Sequence, residues 1–399
     1  MVKYPEDWKS YTLGELGDVR MCKRIFASQT TKNGEIPFYK IGTFGGKADA
    51  FIPRALYEDY KNRFSFPKAG DTLLSAAGTI GRTVVYDGKD AYFQDSNIVW
   101  LEVSEEDIYK PFLKYFFESY PWVNLEGTTI SRLYNGLIRS TPIALPDISE
   151  QRSIAEALTS MDTHIANLTE LIEKKKAIRD GALEDLVSGR TRLEGFGGEW
   201  KTVSFNQVIT PKARIGWQGL KKDEYLKNGY SILIGGTDFK NGHVSVENVS
   251  YVTRERYEMD SNIQVGFNDV LVTKDGTIGK VAIVPELSKP ATLNSGVFVF
   301  RTKDMLQPVF LYRVLMSSVF RDFIALLSAG STIKHLYQKD LKAFSFKIPI
   351  EKSEQIAIAD VLTMMDDEIA SLEAERDKMQ QIKAGMMDDL LTGRVRLIG

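Results

Sequence analysis

Two stretches of the chain carry the same helical pattern of apolar positions. From residue 154 apolar side chains fall at Ile154, Leu158, Met161, Ile165, Leu168 and Ile172. They are spaced alternately by four and three, the seam of a helix that packs along another helix. The pattern returns at Ile358, Leu362, Met365, Ile369 and Leu372, and resumes at Met379, Met386 and Leu390. Each stretch follows a proline (Pro146, Pro349), opens on a serine placed to cap a helix (Ser149, Ser353) and closes at a glycine (Gly189, Gly393). The spacing predicts two helices of ~38 residues, ~57 Å long at ~1.5 Å per residue. A single apolar seam has to be covered, and the nearest cover for each is its own copy. Antiparallel pairing would then place whatever precedes each helix at opposite ends of a rod.

The two stretches are copies in sequence as well as in pattern. Residues 149–195 align without a gap on 353–399, with 22 of 47 positions identical. Ser149-Glu150-Gln151 matches Ser353-Glu354-Gln355, Met161-Asp162 matches Met365-Asp366, and Gly189-Arg190-Thr191-Arg192-Leu193 matches Gly393-Arg394-Val395-Arg396-Leu397. The preceding segments correspond more loosely. Asp71-Thr72-Leu73-Leu74 with Gly78-Thr79-Ile80-Gly81-Arg82 matches Asp269-Val270-Leu271-Val272 with Gly276-Thr277-Ile278-Gly279-Lys280. Gly127-Thr128-Thr129-Ile130-Ser131-Arg132-Leu133-Tyr134 matches Gly330-Ser331-Thr332-Ile333-Lys334-His335-Leu336-Tyr337. A period near 200 residues is too long for a solenoid; the chain reads as a duplicated pair of domains.

Outside the helices the pattern changes to short β-rich runs between turn signals, such as Thr83–Tyr86, Ile98–Leu101, Lys280–Val284 and Val297–Phe300. Helical stretches, Phe112–Ser119 and Val309–Phe323, lie among them. The expected class is α+β: two α+β domains separated by two long helices that form an antiparallel coiled coil, with pseudo-two-fold symmetry. The boundaries expected are 1–148 and 196–352 for the domains, and 149–195 and 353–399 for the helical spacers.

Composition narrows the function. At 399 residues the chain is long enough for two or three domains, and 43% hydrophobic residues suffice for their cores. No apolar run approaches a membrane span, and the N-terminus has no apolar signal core, so the expected location is the cytoplasm. One cysteine, Cys22, makes no internal disulfide and reads as packing. His164, His243 and His335 show no ligand spacing, so no metal is expected. The net charge of −2 is not that of a typical nucleic-acid binder. Its distribution changes the picture: residues 196–348 hold 20 basic and 14 acidic residues, while 349–399 hold 6 and 11.

Basic residues sit at corresponding places in the two domains. Lys23 and Arg24 lie in one; Lys212, Arg214, Trp217, Lys221 and Lys222 lie in the other. Arg82 matches Lys280, with Lys274 just before the second glycine loop, and Arg132 matches Lys334 and His335. The paired glycines permit either a plain hairpin turn beside a core strand or a close backbone approach to a ligand, with Thr79 and Thr277 offering hydroxyls to a phosphate. Ile130, Leu133, Ile333 and Leu336 read as core, leaving Arg132, Lys334, His335 and the tyrosine hydroxyls to face a ligand.

Catalytic signatures are missing from the sequence. There is no Pro-Pro dipeptide for an adenine methyltransferase active site and no phosphate loop; Gly42–Lys47 lacks the spacing. No nucleophile constellation has family spacing. Glu173-Lys174-Lys175 fits half of a nuclease motif, but inside a charged helix face it reads as solvated surface.

With these residues in view, the chain resembles the specificity (S) subunit of type I restriction–modification systems over essentially its whole length. The resemblance rests on Phe66–Leu74 with Gly78–Arg82, on Gly330–Ile333, and on the Ser-Glu-Gln openings and Gly-Arg-x-Arg-Leu closings, in this order and twice over. It implies two target-recognition domains, each reading one half of a bipartite, asymmetric double-stranded DNA target, and a non-catalytic subunit. It implies that the helices set the gap between the halves and dock two methyltransferase subunits. Those partners carry S-adenosylmethionine and methylate adenine at N6; restriction subunits using ATP and Mg join some such assemblies. No cofactor is expected on this chain. The competing class is a coiled-coil scaffold with two domains for ligands other than DNA. A third is an antirestriction or methyltransferase-regulating protein on the same frame.

Overall fold

The computed structural model describes residues 4–122, 132–215, 219–329 and 335–397. The chain forms two compact units, Met1–Thr169 with Glu373–Gly399, and Glu170–Leu372. Each contains one α+β domain and a half of each long helix.

The first unit runs β1 (Lys9–Thr12), α1 (Leu13–Leu16), β2 (Gly17–Arg20), β3 (Ile36–Tyr39), β4 (Phe51–Ile52), α2 (Arg54–Arg63), β5 (Thr72–Ser75), β6 (Thr83–Val85), β7 (Tyr92–Phe93), β8 (Ile98–Val103), α3 (Lys110–Ser119), α4 (Asn135–Ser140), β9 (Pro142–Leu145) and the start of α5 (Ile148–Ser188). Its sheets have the orders β2-β8-β5-β6, β4-β3-β7 and β1-β9. The central strands are apolar on both faces because both faces are covered. Along β5, Leu73 enters the core shared with β3 and β7, while Leu74 enters the core under α3; along β8, Ile98 and Trp100 take the first and Val99 and Leu101 the second. Period-two alternation therefore sorts one strand between two cores.

The second unit repeats this plan after α5 with β10 (Trp200–Ser204), α6 (Phe205–Val208), β11 (Ile209–Ala213), β12 (Ser231–Ile234), β13 (Phe239–Lys240), β14 (His243–Val244), β15 (Ser250–Val252), α7 (Arg254–Glu258), β16 (Gln264–Val265), β17 (Val270–Thr273), β18 (Val281–Ile283), β19 (Ala291–Leu293), β20 (Val297–Thr302), α8 (Pro308–Met316), α9 (Ser318–Ala329), β21 (Ser345–Pro349) and the start of α10 (Lys352–Leu390). The orders β11-β20-β17-β18-β14-β13, β15-β12-β19-β16 and β10-β21 follow those of the first unit, with the β13–β14 hairpin added beside β18 and β16 added beside β19. Even the parallel pair recurs, β3 with β7 and β12 with β19. One α+β fold is used twice.

The helices have 41 and 39 residues, but two details differ from expectation. Ser149 and Ser353 lie inside the first turns; at the start of α5 the capping group is Asp147, whose Oδ1 accepts from the Ser149 and Glu150 backbone N–H groups at 2.9 Å each. The first apolar turns also serve the domains as well as the helix pair. Ile154 and Leu158 join the core under α3, with Leu390 and Leu391 from the far end of the other copy. Ile358 and Leu362 join the α8 core with Leu183, Leu186 and Val187, and Met365 packs at its margin. Leu168 and Ile369 are buried, whereas Met161, Ile165 and Leu372 are half-buried. Gly189 and Gly393 do end the helices, at φ 72° and 71°, in the left-handed region that favours glycine.

Antiparallel pairing is recorded in the ions. In the first unit Lys383 Nζ binds Asp162 at 2.5 Å. In the second, Arg179 binds Asp366 and Lys175 binds Glu368 at 2.6 Å. Residues 179 and 383 are equivalent in the duplication, as are 162 and 366, so each repeat supplies the cation for the other's carboxylate. The flanking motifs do the same. Arg396 grips Glu150 through Nε and Nη2 at 2.6 and 2.7 Å. Arg192 grips Glu354 at 2.6 and 2.8 Å. Both glutamates are fully buried, and each arginine also lies over a domain's first tryptophan, Trp8 or Trp200. The neighbouring glutamines satisfy backbone groups: Gln151 Oε1 accepts from Tyr109 N, and Gln355 Oε1 from Gln307 N, both at 2.8 Å.

Two outcomes follow. Leaving a guanidinium against a neutral amide in Glu354→Gln should cost on the order of 2–3 kcal/mol, seen as a lower urea midpoint without a change in slope. Burial would by itself raise the Asp162 carboxyl, but hydrogen bonds from Lys383, Tyr115 and Lys114 outweigh it and hold it below the usual carboxylate range. Its contribution is therefore complete above that range and lost as pH falls below it. Asp162→Asn should flatten this part of the acid limb in a stability–pH profile; an unchanged limb would contradict the assignment.

Candidate nucleic-acid interface

In each domain the glycine loop is the tip of a hairpin, β5–β6 or β17–β18, built on one design. Ser75 Oγ donates to Thr79 O at 2.5 Å and accepts from Arg82 N at 2.8 Å. Thr273 Oγ1 donates to Thr277 O at 2.5 Å and accepts from Lys280 N at 2.9 Å. Both glycines of each loop have positive φ (63° and 86°; 70° and 79°), which is why the motif needs glycine twice. A side chain at Gly81 would meet Trp122 at 2.6 Å. The motif is thus a hairpin turn, and it leaves Thr79, Arg82, Thr277 and Lys280 exposed at the tip.

The second repeated motif comes to the same place. Arg132 bridges Ala77 and His335 bridges Asp275, while Leu133 N donates to Ala76 O at 2.7 Å and Leu336 N to Lys274 O at 2.8 Å. Segments distant in sequence thereby line the hairpin. In the first unit Arg132 Nη2 donates to Ser96 O at 2.7 Å and Arg24 pairs with Asp95 at 2.9 Å. Arg82 Nη1 donates to Phe44 O at 2.9 Å, and Gln94 Oε1 accepts from Ile41 N at 2.9 Å. Lys23, exposed, lies with its Nζ 5.0 Å from the Phe64 ring centre.

The second unit assembles the equivalent cluster. Lys274 is half-buried, its Nζ 5.8 Å from the Phe298 ring centre. His335 Nδ1 lies 2.5 Å from Asp275 Oδ1. Lys221 and Lys222 are exposed on a loop joined to the cluster through Tyr225, whose hydroxyl donates to Asn294 Oδ1 at 3.3 Å. Lys212 stands apart, half-buried on the edge strand β11 opposite Val299. Trp217 and Lys334 lie outside the described residues, as do 127–131 and 330–333 of the second motif.

Arg214 requires a correction. It is 3% exposed, its Nε donates to Leu293 O at 2.9 Å and its Nη2 to Thr292 Oγ1 at 3.4 Å. Burial, with Arg256 nearby, draws it below its ordinary value. It braces the loop after β19 from inside, so it is a structural group and not part of an exposed surface. Cys22 is packing as expected, its thiol pushed up to about 12 by burial. Residues that the sequence reading missed are Gln94, Asp95, Ser96, Asn294 and Ser295. Extending the duplication through Ala91–Ile98 against Pro290–Val297 would have exposed them as one loop occurring twice.

Among the described residues no group of three or more His, Cys, Asp or Glu is placed to hold a metal ion, and no helix is long and apolar enough to cross a membrane. What the two clusters offer is neutral and cationic donors on a rigid hairpin tip, a set suited to phosphate oxygens and base edges.

Known proteins place this arrangement. The family model described as type I restriction modification DNA specificity domain matches residues 5–177 and 198–383. The chain belongs to that family, whose members are specificity subunits concerned with DNA target recognition. A putative type I restriction enzyme specificity subunit of Haemophilus influenzae is 48% identical over 162 residues, 41% of this chain and 42% of that protein. A type I specificity subunit of Methanocaldococcus jannaschii is 23% identical across 99% of this chain and 95% of its own length. In fold, the S subunit of M. genitalium superposes with a TM-score of 0.61 at 16% identity, over 98% of this chain and 97% of that one. A chain from a structure concerned with assembly and conformational transition of the type I system gives 0.60 at 15% identity, covering 98% and 100%.

The correction at Arg214 has a direct check. Arg214→Leu strands the Leu293 carbonyl in the interior and should lower Tm by more than about 3 °C. Lys280→Ala, at an exposed tip, should shift Tm by less than about 1 °C. Equal shifts would restore Arg214 to the surface set.

Proposed function

We propose that this chain reads a bipartite, asymmetric double-stranded DNA target, one half by each domain, and directs adenine-N6 methyltransferase subunits to it without catalytic groups of its own. The observation that carries the reading is the recurrence, in both units, of one hairpin tip bordered by the same second motif, with the exposed basic side chains of Arg82 and Lys280 at equivalent positions. Arg82 answers to Lys280 and Arg132 to His335. The surroundings differ: Asp275 stands where the first domain has Ala77, and Lys221 and Lys222 border only the second cluster. Two such faces suit two different half-sites.

In this reading affinity comes from phosphates met by Lys23, Arg24, Arg82, Arg132, Lys221, Lys222, Lys274, Lys280, Lys334 and His335, with Thr79 and Thr277 as neutral donors. The helices α5 and α10 act as the spacer and as the seat of two methyltransferase subunits. Exposed apolar side chains at the equivalent positions Ile178 and Ile382 support a docking role. S-adenosylmethionine, and ATP with Mg where restriction subunits join, belong to those partners. The complex works in the cytoplasm.

The test is a mobility-shift titration of the full chain with and without its methyltransferase, at several salt concentrations, coupled to methylome sequencing. A sequence-specific complex and methylated adenines at a split motif are expected; binding indifferent to sequence would favour a scaffold for other ligands. Lys280→Ala should flatten the dependence of log affinity on log salt by about one ion. Four residues inserted near Leu168, matched by four near Leu372, add ~6 Å of helix, a little over one turn. They should lengthen the methylated motif's gap by about one or two base pairs while both half-sites stay the same. Altered half-sites at the old gap would count against the spacer.

A further inference from the structure

We infer that Tyr134 and Tyr337 are equivalent DNA-backbone contacts, each phenol hydroxyl donating to a phosphodiester oxygen. The inference rests on the proposal that the hairpin clusters face duplex DNA, and it adds a residue in each unit that composition and charge do not point to.

Both rings are solvent-facing, 68% and 54% exposed, yet both are held in a fixed place. The preceding leucines, Leu133 and Leu336, are buried and donate their backbone N–H to the strand beside the glycine loop at 2.7 and 2.8 Å. Each tyrosine therefore leaves the fold one residue beyond an anchored position, beside a hairpin tip that carries Thr79 and Arg82, or Thr277 and Lys280.

Packing does not explain the rings. Around them the two domains have diverged: Arg132 stands against His335, Ala77 against Asp275, Asn135 against Gln338. The leucine is the same in both because the core needs it. The tyrosine is the same although the core does not touch most of it. The local backbone duties are open to other residues: Tyr134 precedes α4 without a side-chain cap bond, and Tyr337 N donates to Asp340 Oδ2 at 3.1 Å. Among the described residues no hydrogen bond to either phenol hydroxyl is found. Near Tyr337, Lys339 Nζ lies 5.4 Å from the ring centre and the His335 ring 6.1 Å away. An exposed phenol beside the hairpin tip is a neutral donor, the chemistry of a phosphodiester contact.

A neutral donor displaces no counterion, and this separates it from the lysines. The experiment compares the parent chain, Tyr134→Phe, Tyr337→Phe, the double variant and Lys280→Ala, each assembled with the methyltransferase. Affinity is measured over a potassium chloride series on a duplex bearing the target defined by methylome sequencing. Each phenylalanine variant should bind about three- to tenfold more weakly, with the salt slope and the preference for both half-sites unchanged. Melting temperatures equal to the parent's exclude a folding effect. If the phenylalanine variants bind like the parent while Lys280→Ala weakens, the tyrosine contact fails and the DNA reading stands. If their half-site preference changes, the rings read bases and the backbone assignment is wrong. If the parent itself does not distinguish the target from unrelated duplex, both fall.

Discussion

The structure depends on ion pairs that cross between the two copies of the repeat. Arg396, near the end of the second copy, closes on Glu150 at the start of the first; Arg192, at the end of the first, closes on Glu354 at the start of the second. A buried carboxylate needs such a partner, because removing it from water without one costs several kcal/mol. Each copy therefore completes the other and neither is satisfied by itself. The same rule holds along the helices, where Lys383 answers Asp162 and Arg179 answers Asp366. Antiparallel pairing is the arrangement in which all four pairs form.

This reciprocity explains which motifs the duplication has kept. Ser-Glu-Gln and Gly-Arg-x-Arg-Leu are not reading groups; they are the two halves of a clasp. Their glutamates bind arginines, their glutamines satisfy the backbone leading into α3 and α8, and their glycines turn the chain out of the helix. The domains are freer to diverge, since the clasp meets them at their first tryptophan and at the backbone leading into α3 and α8. A frame that stays constant while its two faces change suits the proposed reading of two unlike half-sites.

Much of this was legible in sequence. Period-seven spacing gave the helices, and the β-rich runs at Ile98–Leu101 and Val297–Phe300 gave strands, though not the burial of β5 and β17 on both faces. The twin glycines announced a tight turn, though not whether a ligand lies against it. Arg214 was misread because a cation next to glycines and a tryptophan looks like a surface loop; only the return of β19 beside it shows the guanidinium consumed by Leu293 O and Thr292. Gln94–Asn97 and Asn294–Gly296 were missed because short polar loops carry no periodicity. The cap of α5 shifted because Asp147, two residues before Ser149, accepts from the Ser149 and Glu150 backbone donors.

By itself the sequence determined the duplication, the element types and the alternation of domain and helix, since these are set by local periodicity and by residue identity at fixed intervals. Only the tertiary structure decided which cations are spent inside the protein and which remain at a hairpin tip. That outcome depends on contacts between residues tens to hundreds of positions apart, where charge and burial compete and neither can be read from neighbours in the chain.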